Sequence, residues 1–547
     1  MHKLLFIVPP HIRFDEFIHP SFNTRAVQKK QGRFGNIFTD MPLGVLALSA
    51  YLKAHVPVDI RLLDFSVELN KIDSFEFSTF AGFFESVLSW SQWKEFAPDM
   101  VCVSALFTTS YHSVLDIARC CREMFPHAVI TAGGGVPTNM YREIFRECRA
   151  FDGLCFGEGE KPLLGLVAAD DRKRYLEDSP SWITADKAEK GTGFVHEFVQ
   201  DLDEIPFYDY SICDIDQYGL NPAITAYGSV DGKSRNFHVM TSRGCPSRCC
   251  FCSSHTVHGR KMRYYSVQRI REDFTRLKDE YGAKTIVFQD DHLLGNKKRA
   301  HTIIGIVKEL GLTAVFQNGL AMNALDRKML EALKSAGLNQ IVLAVESGSD
   351  RVLRDIMHKP LDLSIVKRVA DDCRELGIYT NVNILIGLPG ETRQDMDDAG
   401  AFLKTISANW FIILCATPLV GSEMLEICLE NDYLRGSYID CDYKKPIVET
   451  GDFTPEYIQE RSYSLNLELN FVENSDMRLG DYETALKGLE NAIRAKSDHA
   501  LAYYYAAQCY EQLGQQEKAG QYRATARNLF DENAFWRGYR EMFKICL

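Results

Sequence analysis

Ser242-Arg243-Gly244-Cys245-Pro246-Ser247-Arg248-Cys249-Cys250-Phe251-Cys252 stands directly after the strand-like run Phe237 to Thr241. Further strand-like runs follow at Thr285 to Phe288, Ala314 to Gln317, Gln340 to Val345, Tyr379 to Ile386 and Trp410 to Cys415. Helical patterns separate them, at about Val267 to Tyr281, Ala300 to Leu310, Arg327 to Ala336, Leu363 to Leu376 and Arg393 to Ile406. Strands alternating with helices build a parallel sheet, and six such units over 228–430 predict a partial (β/α)6 barrel of the TIM type. Its working face lies at the carboxyl ends of the strands, where the cysteine stretch falls.

Upstream, residues 1–168 show a second alternation, expected to be a Rossmann-like doubly wound parallel sheet of α/β class. Ligands of such sheets bind beyond the strand ends, here Ser104-Ala105-Leu106, Gly133-Gly134-Gly135 and Gly157-Glu158-Gly159-Glu160. Each of these is also a plain tight turn. Residues 169–227 lose periodicity and read as a linker, and 431–473 as a connecting helical segment. In 474–547, Leu479-Gly480-Asp481-Tyr482 and Ala485 recur as Leu513-Gly514-Gln515-Gln516 and Ala519. That offset predicts a tetratricopeptide-like α-helical repeat. Too few units exist for an independent array, so the tail is expected to lean on its neighbours. A concave surface near the barrel mouth could meet a protein partner or close the cavity, and a capping helical hairpin is the plainer alternative.

The 547 residues carry 62 basic and 74 acidic side chains, a net charge of −12. Such a surface repels a phosphate backbone, so nucleic acid is not expected as a partner. No apolar run approaches the ~20 residues of a membrane span. Leu4 to Val8 is too short for a signal peptide, so the expected location is the cytoplasm. Sixteen Cys are scattered except at 245–252. Scattered Cys are mostly small buried hydrophobes.

Cys245, Cys249 and Cys252 form a CxxxCxxC pattern. Three thiolates round one loop hold three irons of a cubane cluster and leave the fourth open to a substrate, whereas an electron-transfer cluster is closed by four Cys. The rival is a structural zinc site, with His255 completing a Cys3His set; its place at a barrel mouth argues against it. Cys250 could compete as a ligand and is read as packing.

This loop, with Phe251 before its third Cys, resembles the radical S-adenosylmethionine (SAM) superfamily. Phe288-Gln289-Asp290-Asp291, Val345-Glu346-Ser347-Gly348, Ile386-Gly387-Leu388-Pro389-Gly390-Glu391-Thr392 and Pro418-Leu419-Val420-Gly421 follow in the order expected of it. The N-terminal region resembles the cobalamin-binding domain of the cobalamin-dependent branch. The resemblance implies three cofactors: a [4Fe-4S] cluster on Cys245, Cys249 and Cys252, SAM chelated to its open iron, and cobalamin. It implies adenine near the backbone of Phe251, the methionine ammonium at Asp290 or Asp291, ribose or methionine at Glu346 or Ser347, and adenosine near Gly387 and Pro389. It places cobalamin at Ser104, Ala105, Leu106, Gly133, Gly134, Gly135, Gly157 and Glu158. No Asp-x-His-x-x-Gly is found to supply a lower axial His to cobalt, since Asp15 and His19 are wrongly spaced. His11 and His19 read as ordinary loop residues.

Cofactors carry chemistry that side chains cannot. The resemblance implies reductive cleavage of SAM to a deoxyadenosyl radical, with cobalamin delivering a methyl group to a non-nucleophilic carbon or phosphorus. A methyltransferase is the first expectation, and cobalamin-assisted rearrangement or cyclisation the second. A zinc-stabilised binding or scaffold protein is the alternative from another class. An electron donor such as flavodoxin or ferredoxin is implied. The substrate is expected to be a small molecule or to be borne on a carrier or peptide.

Overall fold

The computed structural model describes residues 1–20, 26–219 and 235–546. The expected boundary between linker and barrel, at 227/228, lies outside the described residues, as does Leu547. No helix among them is long and apolar enough to cross a membrane.

The N-terminal sheet contains β1 (His2–Val8), β2 (Val58–Asp64), β3 (Met100–Ser104), β4 (Val129–Gly133), β5 (Gly153–Cys155) and β6 (Trp182–Ile183), in the spatial order β2-β1-β3-β4-β5-β6. The first five are parallel and β6 runs antiparallel to β5. Leu5 and Ile7 face one core and Leu4, Phe6 and Val8 the other, so β1 is apolar from Leu4 to Val8 because both faces are covered there. The order reverses between β1 and β3, and the crevice beyond their carboxyl ends is where such a sheet takes a ligand.

The linker expected from residue 169 begins too early. Helix Arg172–Asp178 and β6 belong to this sheet, and Trp182, buried, donates its indole N–H to the Pro162 carbonyl. Two residues of strand are too few to carry a period. Later in the same stretch Leu202, Ile205 and Tyr210 join the core of the following domain.

Strands β7 (Asn236–Val239), β8 (Thr285–Phe288), β9 (Thr313–Phe316), β10 (Gln340–Glu346), β11 (Tyr379–Ile386) and β12 (Trp410–Cys415) form two parallel three-stranded sheets, β9-β8-β7 and β10-β11-β12. Helices between them start at side-chain caps from Ser266, Asn296, Asp326, Asp362 and Thr392. The fold is thus mixed α/β, with a TIM-like second domain.

Of the segment expected to be helical at 431–473, the first part is irregular, with isolated bridges Leu434 to Val448 and Asp442 to Lys445. Helix Pro455–Leu467 follows. The tail contains helices Tyr482–Ala495, Ala500–Gln512, Gln516–Glu532 and Ala534–Met542. Gly480 and Gly514, one offset apart, both take positive φ, +78° and +75°.

The tail docks away from the barrel mouth, against the expectation. Buried Asp476 accepts from Arg374 and from Asn409 Nδ2, and the Lys487 ammonium meets the Tyr379 hydroxyl at 2.5 Å. Arg478 reaches the carbonyls of Lys404 and Ile406. All these partners precede or open β11 and β12, at their amino ends. The chain leaving β12 runs back down the outside of the barrel in helix Pro455–Leu467, which delivers the tail to the opposite face.

Candidate active site

The cysteine loop is framed by a short antiparallel pairing of Ser242-Arg243 with Tyr264 and Arg263. Gly244 is at φ +94°, and a Cβ there would lie 2.5 Å from the Lys261 carbonyl, so the turn into Cys245 accepts glycine only. Cys245, Cys249 and Cys252 are half-buried. Burial pushes the Cys249 thiol up to about 11; Lys359 opposes this, while Cys252 and Cys245 add to it. Burial also raises Cys245, with Asp291 and Cys252 contributing. The three sulfurs therefore feel one another's charge. Cys250 is buried in the barrel core, with its N–H on the Met357 carbonyl, and burial raises its thiol to about 12. It packs, as read. Phe251 is partly buried against the same core.

Among the described residues, no group of three or more His, Cys, Asp or Glu side chains could hold one metal ion. The Cys3His set of a zinc site is not assembled among them. A cubane needs three thiolates spaced around a common volume, one on each iron. A loop carrying three half-buried thiols on one short segment suits that donor set.

The two acids after β8 divide sharply. Asp290 is buried and accepts from the Thr241 N–H and hydroxyl (3.1 and 2.7 Å) and the Ser242 hydroxyl (2.5 Å). It ties β8 to the start of the cysteine loop and, of the two acids expected at the methionine ammonium, is the one engaged by protein donors. Asp291 keeps a buried Oδ2 without a hydrogen bond. Burial raises its carboxyl, and His258 and His292 pull it back. A cationic ammonium is the partner such an oxygen lacks.

Glu346 ends β10 at a register shift and takes φ +68°, a strained value for a residue with a side chain. Its carboxylate is 3.6 Å from Lys359; burial raises it and that cation lowers it. Ser347 is buried and its hydroxyl accepts from the Ser349 N–H, which supports the turn. The Gly387 to Pro389 turn is built by Glu391, which accepts from the Gly387 and Leu388 N–H groups at 2.7 and 3.1 Å. Gly387 and Pro389 are buried within it.

At the N-terminal sheet, Ser104 and Gly133 are register partners. Gly134 is at φ +106°, and a Cβ would lie 2.4 Å from the Ala105 carbonyl; at Gly135 one would meet the Leu106 carbonyl at 2.8 Å. Close backbone approach turns Leu106 and Phe107 outward, 58% and 49% exposed, beside the β1/β3 crevice. Ala105 is buried below them. An exposed apolar platform at a switch point fits a large flat ligand such as a corrin. His11 packs edge-on against Phe107 and contacts the Ser110 hydroxyl at 3.3 Å, while His19 ends helix Phe14–Ile18. Gly157 and Glu158 follow β5 at the same edge of the sheet and are engaged by other residues. A Cβ on Gly157 would lie 2.3 Å from His196 Nδ1, and the Glu158 carboxylate is taken by Arg243, Arg263 and His258. Both residues lie at the junction of the two domains.

The two faces meet. Helix Gly135–Asn139 leaves the glycine turn, and Asn139 donates to the Thr256 hydroxyl at 2.9 Å in the helix after Cys252. Gly421, at φ +83°, closes on Asn139, where a Cβ would lie 2.4 Å from its Oδ1.

Sequence reasoning missed a polar set inside the barrel. His238 on β7 is buried; the Gln289 amide donates to its Nδ1 at 3.0 Å and also contacts Gln317. Its Nε2 therefore carries the proton, and it points toward Asp40 of the N-terminal domain, 3.9 Å away. A histidine between Phe237 and Val239 in a fully buried strand was the available signal.

The chain matches the radical SAM superfamily over residues 239–403 and the B12 binding domain over residues 38–167. It is 28% identical over 372 residues to an uncharacterized methyltransferase of Pyrococcus horikoshii, covering 67% of this chain and 77% of that protein. It is 28% identical over 407 residues to cytidylyl-2-hydroxyethylphosphonate methyltransferase of Streptomyces wedmorensis, covering 69% and 76%. Its fold is similar to that of the cobalamin-dependent SAM radical enzyme OxsB with aqua-cobalamin bound, at a TM-score of 0.62 and 14% identity over 97% of this chain and 80% of that one. This chain therefore joins a B12-binding domain to a radical SAM domain and is similar in sequence and fold to the cobalamin-dependent radical SAM methyltransferases, and its cofactors are a [4Fe-4S] cluster, SAM and cobalamin.

Proposed function

We propose that this protein is a methyltransferase acting at a non-nucleophilic carbon or phosphorus of a small or carrier-borne molecule. The observation that carries the reading is the Asn139–Thr256 contact, which brings the N-terminal ligand face and the cysteine loop to one shared space. The methyltransferases of P. horikoshii and S. wedmorensis support it. When bound, the cofactors supply radical formation and methyl delivery, which no side chain can.

In this reading Cys245, Cys249 and Cys252 ligate the cluster, and Asp291 receives the methionine ammonium of SAM. Glu346 borders the same ligand, with Lys359 limiting its charge. Leu106, Phe107 and the close-packed Gly134 and Gly135 form the corrin face, and Ser104 and Gly133 set its strand ends. His238, Gln289, Gln317 and Asp40 form the polar wall that orients substrate. The domain limits are 1–190 for the cobalamin unit, a barrel ending near residue 430 and a helical tail from 474. The enzyme also needs an electron donor, such as flavodoxin or ferredoxin, and a small-molecule substrate.

The test is anaerobic reconstitution with iron, sulfide, cobalamin and trideuteromethyl SAM, followed by mass spectrometry of candidate substrates such as hydroxyalkylphosphonates and their nucleotidyl esters. Transfer of the label into a product supports methylation. Substrate conversion without label selects rearrangement or cyclisation instead.

A further inference from the structure

We propose that Glu158 is a positioning residue for radical generation, through which the N-terminal domain fixes the geometry of the cysteine loop. The inference rests on the reading above and adds to it a dependence of one cofactor site on the other domain.

The loop has two ends, Arg243 before Cys245 and His258 after Cys252. One carboxylate holds both. Glu158 Oε2 lies 3.1 Å from Arg243 and accepts from Arg263 at 2.8 Å; Oε1 accepts from Arg263 at 2.6 Å and contacts His258 Nδ1 at 2.8 Å. Glu160, two residues on, takes the other Arg243 nitrogen at 2.8 Å. All four side chains of these Arg and Glu residues are buried. Burial alone would raise the Glu158 carboxyl, but Arg243, Arg263 and His258 more than offset it and hold it well below the usual range.

The reason for so dense a cluster is in the strand pairing. Arg243 and Arg263 stand directly opposite each other across the antiparallel pair that frames the loop. Like charges so placed repel, and two buried guanidiniums without a counter-ion are costly. The frame closes only with a carboxylate between them, and that carboxylate comes from the other domain. Beside it Gly157, at φ +83°, donates its N–H to the Thr138 hydroxyl at 3.1 Å and lies against His196 and the Val257 carbonyl. Removing the charge should leave the thiols able to take up iron while letting the loop, and hence the open iron facing SAM, shift.

The experiment uses the full-length protein loaded anaerobically with cluster and cobalamin, comparing wild type with Glu158→Gln and His258→Gln. Iron and corrin contents, the electron paramagnetic resonance spectrum of the reduced cluster with and without SAM, and steady-state SAM cleavage are measured. For Glu158→Gln we expect unchanged cofactor contents, an altered SAM-dependent spectrum, and a kcat for cleavage lower by about tenfold with KM for SAM changed no more than about twofold. His258→Gln should move the same signals in the same direction to a smaller extent. A fully loaded Glu158→Gln with wild-type spectrum and wild-type kcat overturns the proposal. If that variant precipitates, an unaltered His258→Gln overturns it alone. Wild-type protein that takes up neither cluster nor corrin would overturn the functional reading itself.

Discussion

His238 Nε2 lies 3.9 Å from Asp40 Oδ1, and each of these buried atoms lacks a hydrogen bond. One belongs to the first barrel strand and the other to the N-terminal domain. The His238 N–H is a donor and the Asp40 oxygen an acceptor, so a group that both accepts and donates, such as a hydroxyl, satisfies both at once. Buried polar atoms left unpaired cost about 1–3 kcal/mol each, which a bound substrate recovers. Asp40→Asn and His238→Phe should each lower turnover of substrate by roughly tenfold or more at about 1.4 kcal/mol per decade. Uncoupled cleavage of SAM should remain near the wild-type rate. Equal loss of both would place the pair elsewhere in the chemistry.

The division of labour among the cysteines is tested by metal content. Cys245→Ala, Cys249→Ala and Cys252→Ala should each abolish SAM cleavage and lower iron content after reconstitution. Cys250→Ala should retain both, at a cost of about 1–2 kcal/mol in stability for a small buried side chain. Iron uptake retained in Cys249→Ala and lost in Cys250→Ala would reverse the assignment.

Corrin binding should respond to the platform and not to the junction. Leu106 is exposed, so Leu106→Glu leaves stability nearly unchanged, but it removes apolar area worth about 1.5–3 kcal/mol when covered, or roughly tenfold or more in affinity. Gly134→Ala places a Cβ 2.4 Å from the Ala105 carbonyl at φ +106° and should lower both corrin retention and the melting temperature. Corrin absorbance after gel filtration reads both.

Glu391 gives stability a pH dependence. Burial pushes its carboxyl up to about 8, above its value in the unfolded chain, so the folded state favours the neutral acid. Its contribution is complete below about pH 4.5 and is lost as pH rises through about 8, a change of a few kcal/mol at about 1.4 kcal/mol per pH unit. Denaturant unfolding of the apoprotein between pH 6 and 9 should show this loss in wild type and not in Glu391→Gln, whose amide also supplies a donor on the unpartnered Oε1 side.

The tail supports the barrel from beneath. Asp476→Ala leaves Arg374 and the Asn409 amide without their buried acceptor and should destabilise the protein by about 3 kcal/mol. The ratio of substrate turnover to uncoupled SAM cleavage should not change. A selective loss of substrate turnover would return the tail to the active face.

What the sequence by itself determined is what repeats or is spaced along the chain. Alternating apolar runs produced two parallel α/β units because a strand buried on both faces must be continuously apolar, as in Leu4 to Val8. The CxxxCxxC spacing marked the proposed cluster loop because its three thiols lie on one short segment. Tertiary structure alone decided whatever depends on residues distant in the chain. Asp290 and Asp291 are neighbours with the same side chain, yet Thr241 and Ser242 engage the first and leave an oxygen of the second free. Glu158 read as a ligand turn, until the pairing of Arg243 with Arg263 drew its carboxylate across the domain junction. Asp40 and His238 carry no motif, and the tail's period was visible while its docking face was not. Periodicity reports which face of an element is buried, and only packing reports what it is buried against.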